Sequence, residues 1–328
     1  MTVHLVTTKR LQLLSGRANL ELAESIAEHL GVGLCETNLS EFANGEIHCR
    51  FGQSIRGADV FIIQSHAAID GRSVNDAVIE QLVMVDAANR ASAKRVTAVC
   101  PFFPYARQDR KAEGREPISA KLMANLLDVA GAGRLISVDL HSGQIQGFFD
   151  GPWDHLTAMP VLCDRIADLG DDLVVVSPDA GRVKVAERYS IALGADLAIV
   201  HKRRIRGEKS TVQALEVVGE VAGRVCVLID DMIDTGGTIV AAAEQLMARG
   251  ADEVYAATTH GLFSGPAVDR LKNSVIQEVI VTDTLPMPPE KTIDKLEIVS
   301  VAPTIASAIR AVFEDTSVSE IFGGNNLS

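Results

Sequence analysis

At 328 residues, 47% of them hydrophobic and 23% charged, the chain has material for two globular domains of ordinary size. Its formal net charge of −12 argues against a general nucleic-acid binder. No apolar run reaches transmembrane length, the N-terminus lacks a signal-peptide layout, and five scattered cysteines show no zinc-like spacing, so no membrane role is expected and a reducing cytoplasm is the simplest setting.

Taken in order, the patterning alternates strand and helix. Leu11–Leu14 reads as a strand and Ala18–Leu30 as a helix closed near Gly31. Glu46–Phe51 and Val60–Gln64 read as strands, Val74–Arg90 as an amphipathic helix, and Val96–Phe102 as a strand. Ile118–Ala130 reads as helical and Leu135–Leu140 as extended. The second half continues with helix Pro160–Leu169, strand Leu173–Val176, helix Arg182–Leu193 and strand Leu197–Val200. Strands Val225–Ile229, Val254–Thr258, Val279–Val281 and Leu296–Val299 follow, and helix Thr304–Phe313 closes the chain. Repeated βα units imply an α/β protein with mainly parallel sheets and helices on both faces. The element order implies two similar domains, 1–155 and 156–309, meeting near Gly151-Pro152-Trp153, with the tail 310–328 packing on the first.

The stretch Val225–Thr238, VCVLIDDMIDTGGT, carries the clearest chemistry. A continuous β-branched run suits a strand buried on both faces, and Asp230 and Asp231 stand where that strand is expected to end. Asp234-Thr235-Gly236-Gly237-Thr238 then leads into a helix that places Ile239, Ala243, Leu246 and Met247 on one face before Gly250. Two glycines let backbone approach a ligand, and their N–H groups with the two threonine hydroxyls at a helix N-terminus suit a phosphate monoester. The strand-end carboxylates suit vicinal hydroxyls or a metal ion instead. A ligand with phosphate at one end and a diol nearby is a sugar phosphate, and ribose 5-phosphate fits. DTGGT alone is also compatible with an ordinary surface turn.

Other stretches leave more open. Phe42-Ala43-Asn44-Gly45-Glu46 looks like a turn before a strand. Pro101–Lys111, PFFPYARQDRK, gathers aromatic, amide and basic groups that suit a nucleotide, or equally a solvated loop. Asp139 and His141, two apart at a strand end, point to one face and suit a metal or a structural cap. Asp179-Ala180-Gly181-Arg182 puts another glycine turn at a strand–helix junction. His201–Lys209 is the densest basic run, a loop expected on the same rim.

IDDMIDTGGT resembles the 5-phosphoribosyl-diphosphate-binding motif of type I phosphoribosyltransferases and ribose-phosphate pyrophosphokinases. FANGE, PYARQDRK, REPIS, VDLHSGQIQGFFD, SPDAG and IDDMIDTGGT, in this order from about Leu11 to Phe322, together resemble the class I ribose-phosphate pyrophosphokinases. That resemblance implies two phosphoribosyltransferase-type domains and transfer of the β,γ-diphosphoryl group of ATP to ribose 5-phosphate. The products would be AMP and the 5-phosphoribosyl 1-diphosphate used in nucleotide, histidine and tryptophan biosynthesis. It implies ATP at Phe42, Asn44, Gly45, Glu46, Arg107 and Gln108, and catalysis by Lys202 and Arg204. Ribose 5-phosphate falls to Arg204, Asp230, Asp231 and Asp234–Thr238. Mg²⁺ falls to His141 and Asp179, with Asp139, Asp150 and Asp154 as further candidates. A homohexamer is implied, with phosphate and ADP as effectors at Ser54, Arg56, Arg115, Ser317 and Ser319. The chain departs from many relatives by having Arg182 where a second glycine stands and Gly114 where a serine stands. A salvage phosphoribosyltransferase would share IDDMIDTGGT without needing a nucleotide site in the first half. A non-catalytic regulatory homologue would be expected to disrupt the basic run.

Overall fold

The computed structural model describes residues 9–204 and 213–322, the side chains of 202–204, 213 and 214 excepted. They form two compact units. Residues up to Thr157, Thr284–Pro286 and the segment from Ala302 make the first; Ala158–Asp283 and Met287–Val301 make the second.

The first unit contains β1 (Leu11–Ser15), α1 (Leu20–Leu30), β2 (Thr37–Glu41), β3 (Ile47–Phe51), β4 (Asp59–Ile63) and α2 (Val74–Arg90). β5 (Arg95–Cys100), α3 (Ser119–Ala130), β6 (Arg134–Val138) and β7 (Trp153–Leu156) follow. Five strands pair in parallel in the order β1-β4-β5-β6-β7, while β2 and β3 form a separate antiparallel hairpin. Every residue of β4 is buried, as a parallel strand covered on both faces requires. Val60 and Ile62 pack with Met84 and Val85 of α2 and Leu127 of α3; alternation turns Phe61 and Ile63 to the other face. Ser73 and Asp76 close a reciprocal capping box at the start of α2.

The second unit contains α4 (Met159–Ala167), β8 (Leu173–Ser177), α5 (Val183–Leu193), β9 (Asp196–Arg204), β10 (Gln213–Val218) and β11 (Val225–Ile233). α6 (Gly237–Ala248), β12 (Glu253–Gly261), α7 (Ala267–Lys272), β13 (Val279–Thr282) and β14 (Leu296–Val299) complete it. Its seven-stranded sheet has the order β10-β9-β8-β11-β12-β13-β14, with β10 antiparallel to β9 and the other pairs parallel. Val174, Val176, Cys226, Leu228, Val254 and Ala256 form a core with Ile239, Ala243 and Leu246 of α6. α8 (Ala302–Glu314) then returns to the first unit and packs on α1.

The structure departs from the sequence expectations at definite places. Trp153, expected beside a domain boundary, opens β7 and anchors it: the buried indole donates from Nε1 to Ser137 Oγ at 2.8 Å and meets the Phe103 ring edge-on at 4.8 Å. Gly151-Pro152 is a turn within the sheet, its proline carbonyl accepting from Leu135 N–H at 3.0 Å. The strand expected to stop at Ile229 runs through Asp230 and Asp231 to Ile233. The basic run is not wholly loop, because His201–Arg204 continue β9 and pair with β10. Asp139 and His141 lie beyond the end of β6, and Asp139 takes a left-handed backbone (φ 37°), so they do not share a strand face.

Asp59 at the start of β4 is 3% exposed and accepts from Arg95 Nε at 2.9 Å. The same guanidinium reaches Asp315, just past α8, at 2.6 Å. Lys9 and then Arg95 hold the Asp315 carboxyl down to about 2. Asp59→Asn is expected to lower unfolding free energy by about 2 kcal/mol, the size of a charge-assisted contact at a buried acceptor. The Asp315 contribution is present above its ordinary value of 3.8 and is lost as pH falls through about 2, so Asp315→Asn should flatten that acid limb. Urea unfolding across pH reads both, and an unchanged midpoint in Asp59→Asn would remove this clamp from the fold.

Candidate active site

The Asp234–Thr238 turn is braced by its surroundings. Ile233 O accepts from Leu262 and Phe263 N–H at 3.0 and 3.2 Å, and Asp234 O accepts from Ser264 N–H at 2.8 Å. Arg270 Nη1, from α7, donates to Thr235 O at 2.9 Å. Lys291 Nζ donates to Leu262 O at 2.6 Å. Burial lowers the pKa of that ammonium, with Glu290 and Asp234 opposing the shift. Sequence reading singled out neither Arg270 nor Lys291. The Gly265-Pro266 turn after β12 is the signal that could have marked the 262–270 brace.

The two glycines have different roles. Gly236 has φ +73°, a left-handed conformation that favours glycine, and caps α6. It offers no side-chain acceptor, so the first-turn N–H groups of α6 receive no cap from it and are suited to an anion. Gly237 is under no such backbone demand, and a Cβ there would meet only the far end of Arg270, at 3.4 Å from Nη1. Thr235 and Thr238 are exposed beside them.

Asp230 and Asp231 lie on the part of β11 that outruns β8, whose pairing ends at Val176 opposite Leu228. Asp231 is 7% exposed, and its N–H donates to Asp230 Oδ1 at 2.8 Å. Burial first, and the neighbouring Asp231 next, push the Asp230 carboxyl up, while Arg182 opposes them. Arg182 Nε lies 3.2 Å from Asp230 Oδ1 and its Nη2 lies 2.7 Å from Asp231 Oδ1. Asp179 is exposed at the preceding turn, where its Oδ1 accepts from Gly181 and Arg182 N–H at 2.7 and 3.2 Å. Lys202 and Arg204 stand in the last residues of β9, and their side chains, like residues 205–212 of the basic run, lie outside the described residues.

In the first unit the FANGE turn is the tip of the β2–β3 hairpin. Phe42 N–H donates to Glu46 O at 2.8 Å, Asn44 Oδ1 accepts from Glu46 N–H at 3.3 Å, and Gly45 has φ +87°. Phe42, Asn44, Gly45 and Glu46 are all exposed. Arg107 and Gln108 are exposed on a different element, the loop after β5, where Pro104 and Ala106 point inward. That loop is tied to the His141 segment: Asp109 accepts from Ser142 Oγ at 2.5 Å and from Gln144 Nε2 at 2.7 Å. His155 Nε2 accepts from Leu140 N–H at 2.8 Å and fixes the turn that carries Asp139 and His141. Asp154 is taken up by Arg134 at 2.5 Å, and Asp150 is exposed.

Among the described residues no group of three or more His, Cys, Asp and Glu is gathered to hold a metal ion. His141 belongs to the first unit and Asp179 to the second. Each is a lone protein donor within its own unit, and Mg²⁺ commonly takes one or two protein ligands and draws the rest from substrate phosphates and water. The effector candidates lie in the first unit and are exposed. Arg10 donates to the carbonyls of Ser54 and Arg56 at 3.1 and 3.3 Å, and its neighbour Lys9 contacts Asp315, close to Ser317. Ser317 and Ser319 hydroxyls lie 2.9 Å apart, while Arg115 sits in the loop before α3 with φ 71°.

A family model described as the N-terminal domain of ribose phosphate pyrophosphokinase matches residues 11–131, and one described as a phosphoribosyl synthetase-associated domain matches 203–323. The ribose-phosphate pyrophosphokinase of Streptomyces avermitilis is 57% identical over 316 residues, covering 96% of each chain. That of Bifidobacterium longum is 54% identical over 319 residues, covering 96% of this chain and 93% of its own. The crystal structure of phosphoribosylpyrophosphate synthetase from Mycobacterium smegmatis superposes with a TM-score of 0.88 at 51% identity, covering 94% of this chain and 100% of that one. Two α/β units and relatives matched over nearly their whole length lead to one assignment: this chain belongs to the ribose-phosphate pyrophosphokinase family of enzymes.

Proposed function

We propose that the protein transfers the β,γ-diphosphoryl group of ATP to the C1 hydroxyl of ribose 5-phosphate, forming 5-phosphoribosyl 1-diphosphate and AMP. The observation that carries this reading is the pairing of an anion-binding turn with an acid pair: the braced 234–238 turn at the start of α6, and Asp230–Asp231 on the strand before it. The turn takes the 5-phosphate on its N–H groups and threonine hydroxyls. Asp230 and Asp231 accept hydrogen bonds from the ribose hydroxyls. The C1 oxygen bonds to the β-phosphorus and gives up its proton to solvent as the bridge to the α-phosphate breaks, and the bridging oxygen leaves with AMP. The protein's task is alignment and charge neutralisation rather than covalent chemistry.

Phe42, Asn44, Gly45, Glu46, Arg107 and Gln108 are assigned to ATP. Lys202 and Arg204 are assigned to the charge that spreads over the transferred group, and Arg204 also to ribose 5-phosphate. His141 in the first unit and Asp179 in the second are assigned as residues that would each hold Mg²⁺, which would supply charge neutralisation for the polyphosphate when bound. The same reading makes the protein a cytoplasmic homohexamer activated by phosphate and inhibited by ADP at Ser54, Arg56, Arg115, Ser317 and Ser319. Among the described residues no helix is long and apolar enough to cross a membrane.

A coupled assay for AMP from ATP, ribose 5-phosphate and Mg²⁺ tests the reaction. A salvage phosphoribosyltransferase or a non-catalytic homologue would give no AMP in it. Lys202→Ala and Arg204→Ala are expected to lower kcat about a hundredfold each, about 3 kcal/mol of transition-state stabilisation, with smaller changes in KM. If KM alone moved, the two residues would be removed from the transferred group.

Gly236 and Gly237 can be separated by the same kinetics and by thermal melting. Gly236→Ala places a Cβ in left-handed backbone at a cost of about 1–2 kcal/mol and should lower Tm. Gly237→Val meets only the mobile end of Arg270, so the fold should hold while the KM for ribose 5-phosphate rises about tenfold or more and that for ATP stays put. Equal losses for both substrates in Gly237→Val would take the 5-phosphate away from this turn.

A further inference from the structure

Two adjacent carboxylates on one strand segment create an electrostatic difficulty that the glycine turn does not resolve. Asp231 is buried and Asp230 largely so, and burial together with mutual repulsion pushes the Asp230 carboxyl up, with Arg182 opposing. Two neighbouring carboxylates are held together only where a cation is shared between them. Arg182 answers this geometrically. Its guanidinium spans both groups, at 3.2 Å from Asp230 Oδ1 and 2.7 Å from Asp231 Oδ1, with only 15% of the side chain exposed. A planar fork can reach two different carboxylates at once, whereas a lysine ammonium offers a single point of charge.

The base of the arginine is also fixed. Asp179 Oδ1 receives the N–H groups of Gly181 and Arg182, and Ser177 Oγ donates to Asp179 O at 2.7 Å. Residues 177–182 are therefore a clipped turn at the end of β8. β8 is the hydrogen-bonded neighbour of β11, so Arg182 crosses from the end of the shorter strand to the continuation of the longer one. Turn, fork and acid pair lie within the second unit.

We propose that Arg182 is a positioning residue that aligns the Asp230 and Asp231 carboxylates as acceptors for the C2 and C3 hydroxyls of ribose 5-phosphate, and so sets the preference for a sugar that bears the 2-hydroxyl. This rests on the ribose 5-phosphate reading above. Without the fork one carboxylate is no longer held in place, and a hydrogen bond to one hydroxyl is lost. A 2-deoxy sugar has one such bond fewer to lose, so discrimination between the two sugars collapses along with affinity.

The test compares wild type, Arg182→Gln and Arg182→Lys with ribose 5-phosphate and 2-deoxyribose 5-phosphate, reading AMP formation, KM for each sugar phosphate, KM for ATP, and Tm. Arg182→Gln is expected to raise the KM for ribose 5-phosphate about tenfold and to cut the ribose-over-deoxyribose ratio of kcat/KM by a similar factor, with the KM for ATP unchanged. Arg182→Lys, which keeps the charge but not the fork, should recover part of the affinity and less of the discrimination. If Arg182→Gln melts early, Arg182→Lys carries the test, with an expected fall of about threefold in the ratio. A folded variant with an unchanged KM for ribose 5-phosphate and an unchanged ratio, or with both KM values raised together, overturns the role of Arg182. Wild-type protein that forms no AMP from ribose 5-phosphate overturns the proposed function itself, and this inference with it.

Discussion

The site depends on a mismatch in strand length. β11 pairs with β8 only as far as Leu228, then runs on beside β12 through Asp230 to Ile233. Beyond Leu228 one edge of β11 has lost its strand partner, and the chain fills that edge with side chains instead of backbone. Asp230 and Asp231 project from it, and Arg182 reaches across from the end of the shorter strand. Two buried neighbouring carboxylates are tenable only with a cation at hand, so the acid pair, the Asp179-clipped turn and the strand ending at Ser177 form one dependent set.

The same logic explains why the glycine turn is braced from outside. A helix start meant for an anion cannot use a Ser or Asp cap, because that cap would occupy the N–H groups the ligand needs. Gly236 offers them no side-chain acceptor, and order is imposed through carbonyls: Ile233, Asp234 and Thr235 accept from Leu262, Phe263, Ser264 and Arg270. In the first unit, order is likewise imposed by contacts at a distance in sequence. Asp109 binds Ser142 and Gln144, and His155 holds the turn of Asp139 and His141. The exposed candidate groups are carried on loops whose neighbours are fixed.

Much of the fold was legible because buried parallel strands advertise themselves: VCVLI and LVVVS are continuous apolar runs with no other reading. The glycine-rich turn before an apolar helix was legible for the same local reason. β7 was hidden because Gly151-Pro152 imitates a linker, and only the long-range contact of Trp153 with Ser137 and Phe103 reveals a strand. β2, TNLSE, is polar and exposed and carries no alternation to read. The extension of β11 through two aspartates runs against strand propensity and exists because β12 pairs with it. Arg182 could be seen as a departure from a glycine, but its role could not, since it follows from the adjacency of β8 and β11 across many intervening residues. Arg270 and Lys291 were missed for the same reason.

The central claim is a two-ended grip on one sugar phosphate, with phosphate at the start of α6 and hydroxyls at the acid pair. A crystal structure of the protein with ribose 5-phosphate tests it most directly. The account predicts the phosphate within hydrogen-bonding distance of the N–H groups of residues 236–238 and the ribose hydroxyls against Asp230 and Asp231. A phosphate bound instead at the 179–182 turn or at Arg107, with the acid pair untouched, would contradict it.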